Sequence, residues 1–452
     1  MSRESEPSKT GGTRVARRRF VQGAGATGLA AIAGCVGGGG GGSDGGGNGS
    51  GDGGGTITYL SDRGDSKEVI DEIISEFESE FSQYTVNVTY TSKGNSTDEQ
   101  LQKMVAAGNP PDIVFDTSAD AYRYQRDGDL APVSDAVQDT GLPDPVNVDG
   151  DSYFAATMVE PLMGWYRNDL YEEAPTTWDV WQSEAKRISE TMDMGGYVVQ
   201  SGETNNADTQ VTQNLWQNGV EIYTGPSDDI QVTIDEGQNR KRAVETYDWL
   251  QRMAQYSPNG SGWEWGDAIE AVQQENAAAL MSVGGLPVLT ITENRPDLVE
   301  KLSPTPFPLP QGREQNQWWS YMEGHVVWDE GQNTEGAQQF VDFFSKSDRF
   351  LDFVLSAPLF QFPPTREMLD SEAVTNNEII QQHPEAMNLV RENWEAFNSV
   401  LATGTDGAPN IVAANAYSQQ LFGQSANQML VGDKSPEETV TWVAEQLRGL
   451  QQ

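Results

Sequence analysis

Apolar positions recur along the chain with two periods, and the places where the period changes mark the elements. Residues 56–60 (TITYL) form a short strand pattern. In residues 66–83, Ile70, Ile73, Ile74, Phe77 and Phe81 fall on a stripe of period 3.6, which predicts an amphipathic helix. Residues 85–90 alternate and predict a second strand. Ser96 and Glu99 then make a capping-box pair that opens a helix through Leu101, Met104 and Val105, stopped by Gly108. Residues 111–115 predict a third strand. Strand–helix–strand–helix–strand implies right-handed crossovers and a parallel sheet. Ligands of such sheets bind beyond the carboxyl ends of the strands. Those ends carry Ser61, Asp62 and Arg63, then residues 93–96, then Asp116, Thr117 and Ser118.

Farther on the pattern is mainly helical, over residues 180–191, 236–256, 334–355, 383–401 and 435–450. The last helix opens on Ser435-Pro436-Glu437-Glu438, with proline at the first helical position. An apolar strand at 278–283 is broken by Gly284 and Gly285. In residues 303–310 alternate prolines remove backbone donors, which predicts an extended surface or interlobe connection. No period of 20–50 residues is present, so a solenoid or propeller is excluded.

The front of the chain reads as an address. Arg17, Arg18 and Arg19 precede an uncharged Ala/Gly-rich stretch at 20–36, the pattern of a secretory signal. It is too short and polar for a comfortable membrane span. Arg17-Arg18 with Phe20 resembles a twin-arginine export signal, with Ala16 and Gln22 departing from the usual residues. Cys35, the only cysteine, closes Ile32-Ala33-Gly34-Cys35, which resembles a lipoprotein lipobox. A lipid on Cys35 and anchorage to the membrane are therefore expected. Residues 36–55 are nearly all glycine and predict a flexible tether spanning about 25 Å.

Charge changes the picture of where the protein works. After residue 34 the chain carries 66 acidic against 22 basic residues, a balance near −44. Nucleic acid and anionic lipid surfaces, which need a basic footprint, are excluded as partners. The 12 tryptophans and 37% apolar content still provide a large core. Lysine, with nine residues, is scarce. Such a surface repels itself at low salt and is screened at molar salt, so adaptation to brine is expected. The 452 residues are long enough for two or more domains.

Several stretches, in order, carry a family resemblance. Residues 101–114 (LQKMVAAGNPPDIV), 128–135 (GDLAPVSD), 164–170 (GWYRNDL) and 175–179 (PTTWD) are followed by 276–285 (NAAALMSVGG), 335–343 (EGAQQFVDF) and 362–366 (FPPTR). Together they resemble an extracellular solute-binding protein of an ABC importer, in the family that includes the maltose-binding protein. Arg167 between Tyr166 and Asn168, and Leu286-Pro287 where the family often has Pro-Trp, depart from it. The resemblance implies an α/β, two-lobed periplasmic-binding-protein-like fold of the maltose-binding type. The first lobe is expected from 56–160 and 284–330, the second from 161–283 and 331–452. It also implies hinge closure on a ligand, delivery to permease subunits, a monomeric chain and no cofactor.

A sugar-type ligand needs aromatic faces for stacking and planar groups for its hydroxyls. Trp263, Trp265, Trp318 and Trp319 are the aromatic candidates, with core or hinge packing as their other reading. Trp178, Trp181, Trp249, Trp394 and Trp442 are expected in the core. Asp62, Arg63, Asp116, Ser118, Glu160 and Glu323 are the polar candidates, and Gly284 and Gly285 are expected to let backbone approach the cleft or to form a plain turn. The alternatives are a binding protein for a metal ion, oxyanion or sugar phosphate, with Tyr122, Tyr124 and Tyr153 as hard ligands, or a tethered glycoside hydrolase using a pair such as Asp116 and Glu160. His325 and His383 stand 58 residues apart with no HExxH, so no catalytic residue is assigned.

Overall fold

Strand β1 (Gly55–Ser61) lies between β2 (Tyr84–Tyr90) and β3 (Ile113–Thr117) and runs parallel to both. Helices α1 (Lys67–Glu80) and α2 (Ser96–Ala106) are the crossovers, as the pattern predicts. This computed structural model describes residues 54–451 except 92–95, 139, 143–145, 149, 293, 315–316, 400 and 402–408. The export signal, Cys35, nearly all of the tether and Lys93 to Asn95 lie outside the described residues. Helix α1 buries Ile70, Ile73, Ile74 and Phe77 against the sheet, each worth roughly 2 kcal/mol. Its last turn closes when the Phe81 backbone N–H donates to the Phe77 carbonyl.

The sheet continues into two long strands, Ala155–Arg167 and Trp318–Trp328. The order is 279–283, 155–167, 318–328, β3, β1, β2. Residues 155–161 pair antiparallel with 320–325. Residues 162–167 change partners and run between 279–283 and 302–305. The 318–328 strand likewise pairs 323–327 with β3 and 318–319 with Phe397 and Asn398. Each long strand thus carries the chain from one group of partners to another. Every residue of 155–167 except Tyr166 is buried, so its sequence shows no alternation.

Several expected elements differ in detail. The helix predicted over 334–355 is broken into Thr334–Lys346 and Phe350–Val354. That break lets Phe340, Phe344, Phe350 and Phe353 share one aromatic cluster with Tyr59, Phe77 and Phe115. Residues 334–354 therefore pack on the β1–β3 strands, although the expected division assigned them to the second lobe. The helix predicted over 383–401 ends at Glu392. The proline-rich segment is more than a connection. Residues 302–305 form an edge strand on 155–167, where Pro304 costs no shared donor, and Phe307 is buried.

Helix α5 (Asn205–Gln217) was not predicted. Its Asn206, Asp208, Gln210, Gln213, Asn214 and Gln217 are buried, so it has no polar face to contrast with an apolar one. The amides are used internally. Gln210 Nε2 donates to the Tyr197 hydroxyl (2.9 Å), and its Oε1 accepts from the Gln200 N–H (3.0 Å).

The register between 155–167 and 318–328 slips between Glu323 and Gly324. A Cβ on Gly324 would lie 2.1 Å from the Ala155 carbonyl oxygen, so the bulge requires glycine. Gly324→Ala is expected to lower stability by roughly 2–3 kcal/mol. Denaturant unfolding of the variant against the parent chain checks this.

Candidate functional site

Beyond the carboxyl ends of β1 and β3 opens a cleft of about 580 Å³. The end of β1 contributes Asp62 and Arg63, the end of β3 contributes Phe115 and Asp116, and the long strands contribute Glu160, Tyr321 and Glu323. Five helices turn their N-terminal ends to it. They are α2 through Thr97 and Asp98, α3 (Ser118–Asp127) through Thr117 and Asp120, α5 through Asn205, α7 (Trp265–Gln273) through Glu264 and Trp265, and the helix Leu421–Leu430 through its N-cap Gln420. Their positive dipole ends explain why acidic side chains gather there.

Arg63 is 2% exposed and sits in a ring of acceptors. Its Nε lies 3.4 Å from Asp62 Oδ1, and Nη2 lies 3.7 Å from Glu160 Oε1 and contacts Glu323 Oε2. The Gln361 amide, set to donate to the Val354 carbonyl, accepts from Arg63 Nη1 at 2.7 Å. The guanidinium also lies 5.1 Å from the Phe115 ring centre. A buried cation with three carboxylates is held because none of these charges is left alone.

At the other end of the cleft Asp116, Asp98 and Asp120 crowd together. Tyr124 donates to Asp116 Oδ2 (2.9 Å) and reaches Asp98 Oδ1 at 3.4 Å. Arg123 Nη1 pairs with Asp120 Oδ1 at 2.8 Å. Burial, then the neighbouring Asp120 and Asp98, raise the Asp116 carboxyl well above the usual carboxylate range. Burial and Asp120 raise Asp98 as well. The aromatic wall is Tyr321, Tyr417, Trp265 and Phe360, with the Tyr321 and Tyr417 rings 6.2 Å apart.

Of the candidates named from sequence, Asp62, Arg63, Asp116, Glu160, Trp265 and Glu323 line this cleft. The others do not. Trp318 and Trp319 are 0% and 1% exposed. Trp318 donates its indole N–H to the Leu162 carbonyl, and Trp319 stacks on Trp216 at 5.4 Å. Both belong to the core because the long strand is covered on both faces. Trp263 is half-buried at the edge of a core cluster, its carbonyl accepting from Asn206 Nδ2. Ser118 is buried at the start of α3. Gly284 (φ +45°) and Gly285 admit the 357–362 segment, and a Cβ on Gly284 would lie 2.5 Å from the Leu359 carbonyl oxygen. Their flanking residues Val283 and Leu286 reach the cleft instead. Tyr321, Tyr417, Phe360, Asp98, Asp120 and Gln420 were missed. Tyr321 alone carried a signal, since it shares a strand face with Glu323 two residues on.

The family model for bacterial extracellular solute-binding proteins matches residues 61–348. The chain belongs to that family. No curated protein matches. Among solved structures, maltose-bound MalE3 of T. maritima is similar at 16% identity, with a TM-score of 0.70 over 88% of this chain and 100% of that one. A sugar transporter from Arthrobacter chlorophenolicus A6 with bound laminaribiose is similar at 14% identity and a TM-score of 0.71, over 87% and 99% of the two chains. The GacH receptor of Streptomyces glaucescens GLA.O is similar at 16% identity and a TM-score of 0.69, over 88% and 98%. The fold is the two-lobed α/β architecture of maltose-binding proteins.

Beneath the cleft, Asp208 Oδ1 accepts from the Phe422 and Gly423 N–H groups at 2.7 and 3.3 Å, joining α5 to the start of the 421–430 helix. Burial pushes its carboxyl up to about 8. Below about pH 4, the ordinary range for an aspartate, folded and unfolded chains both hold the proton. From there to about pH 8 only the folded chain holds it, so stability falls as pH rises through that window. Asp208→Asn is expected to flatten this slope, as read from melting temperatures between pH 4 and 8.

Proposed function

We propose that this protein is the extracytoplasmic binding component of an ABC importer and captures a sugar or related polyol in the cleft. The observation that carries this reading is the lining itself, where aromatic faces of Tyr321, Tyr417 and Trp265 alternate with carboxylates and helix N-termini. That combination suits stacking on sugar rings and bidentate bonding to hydroxyls. Neighbours of the same fold that hold maltose, laminaribiose and alpha-D-tagatose support it. Seven carboxylates against the single Arg63 among the cleft-lining residues weigh against an oxyanion or sugar phosphate. Among the described residues no cluster of three or more His, Cys, Asp or Glu is placed to hold a metal ion.

Catalysis is not part of this reading. The ligand would be held, the lobes drawn together by contacts on both sides, and the closed form presented to permease subunits. We place the lobe boundary where 155–167 and 318–328 change partners, with 334–354 on the β1–β3 side. Export by the twin-arginine-type signal, a lipid on Cys35 and work in brine complete the proposal. No helix among the described residues is long and apolar enough to cross a membrane.

Tryptophan fluorescence and melting temperature, followed in molar KCl against a saccharide panel, are expected to shift with one sugar class. Shifts only with metals or peptides would overturn the reading. Trp265→Ala is expected to weaken that binding about tenfold or more with little change in melting temperature, whereas Trp319→Ala is expected to cost about 3–5 kcal/mol of stability. Cys35→Ser is expected to release the protein from the membrane fraction into the medium.

A further inference from the structure

The charge of the cleft exceeds what its framework neutralises. Seven carboxylates and one guanidinium line it, a formal balance of −6. Arg123, 2.8 Å from Asp120, and five helix N-termini at about +0.5 each recover about 3.5 of this. Arg63 is already paired with Asp62, Glu160 and Glu323 and bonded to Gln361, so its charge is answered within the framework. The carboxyl groups crowd together where Asp98 of α2, Asp116 of β3 and Asp120 of α3 meet, with Tyr124 and Arg123 as the facing polar groups. The rings of Tyr321 and Tyr417 also line the cleft.

We propose that the cleft prefers a saccharide bearing an amino group, with the ammonium seated among Asp98, Asp116 and Asp120 and the sugar ring on the Tyr321–Tyr417 wall. This rests on the saccharide reading above and narrows it. An ammonium relieves the crowding of three carboxylates and gains from an adjacent aromatic face. A hydroxyl in its place leaves the crowding as it was, and a carboxylate or phosphate adds to it. In this enclosed site salt screens the charges less than at the open surface, so the preference persists in brine.

Calorimetry of the full chain in molar KCl tests it with three probes: a glucosamine disaccharide, its N-acetylated counterpart, and a uronate-containing disaccharide. The amine is expected to bind at least tenfold more tightly than the neutral sugar, with the uronate weakest. Asp116→Asn is expected to reduce the amine-to-neutral ratio at least fivefold. Asp98→Asn, on the first turn of α2, is expected to do the same and serves if the buried variant does not fold. Equal or tighter binding of the neutral or anionic sugar overturns this inference and leaves the saccharide reading standing. An amine preference that neither variant alters overturns the placement at Asp98, Asp116 and Asp120. If no saccharide in the panel and no other sugar binds, both readings fall.

Discussion

The guanidinium of Arg63 is the interaction on which the rest of the cleft depends. From the end of β1 it reaches Glu160 on one long strand, Glu323 on the other, and Gln361 on the segment that threads beside them. Glu160 and Glu323 lie on adjacent antiparallel strands and both point to the same buried region. Without a cation between them, two carboxylates in that position would repel at low dielectric, and the strands could not run together with both acids inward. Removing one partner from a buried ion pair costs about 3–5 kcal/mol, because the others are then left uncompensated. The same contact that joins these strands therefore lines the cleft.

The second constraint is the convergence of helix N-termini. Five of them direct partial positive charge to one cavity, and the nearby carboxylates answer it. Asp208 extends this logic one layer deeper, where it caps the 421–430 helix from α5. Hydrogen bonding and burial pull its carboxyl in opposite directions, and burial dominates. Asp208 thus ties α5 to the helix whose N-cap Gln420 lines the cleft.

The first half of the fold was legible because β1, α1, β2 and β3 obey simple periods, and strand-end reasoning led directly to Asp62, Arg63 and Asp116. The long strands hid themselves: 155–167 is buried on both faces, so no alternation survives in its sequence. Helix α5 escaped for the opposite reason, being polar throughout yet buried. The tryptophans misled because Trp318 and Trp319 are adjacent on a strand covered on both sides, where aromatic content reports core rather than cleft. Tyr417 and Gln420 come from the far end of the chain and reach the site by tertiary packing, Tyr417 through the helix Ile411–Ser418 on α3 and Gln420 through the 421–430 helix on α5. Nothing local in their sequence marks them.

The pairing of β3 with residues 323–327 also governs how the molecule can be assembled. The two strands are separated by about 200 residues, and β3 has no partner on that edge until the later one is made. A ribosome therefore releases β1, β2 and β3 with an open edge while the whole middle of the chain is still being synthesised. Until residues 323–327 arrive the first half carries an open strand edge, which is a template for pairing with other chains. Synthesis of residues 323–327, late in the chain, is therefore what closes that edge.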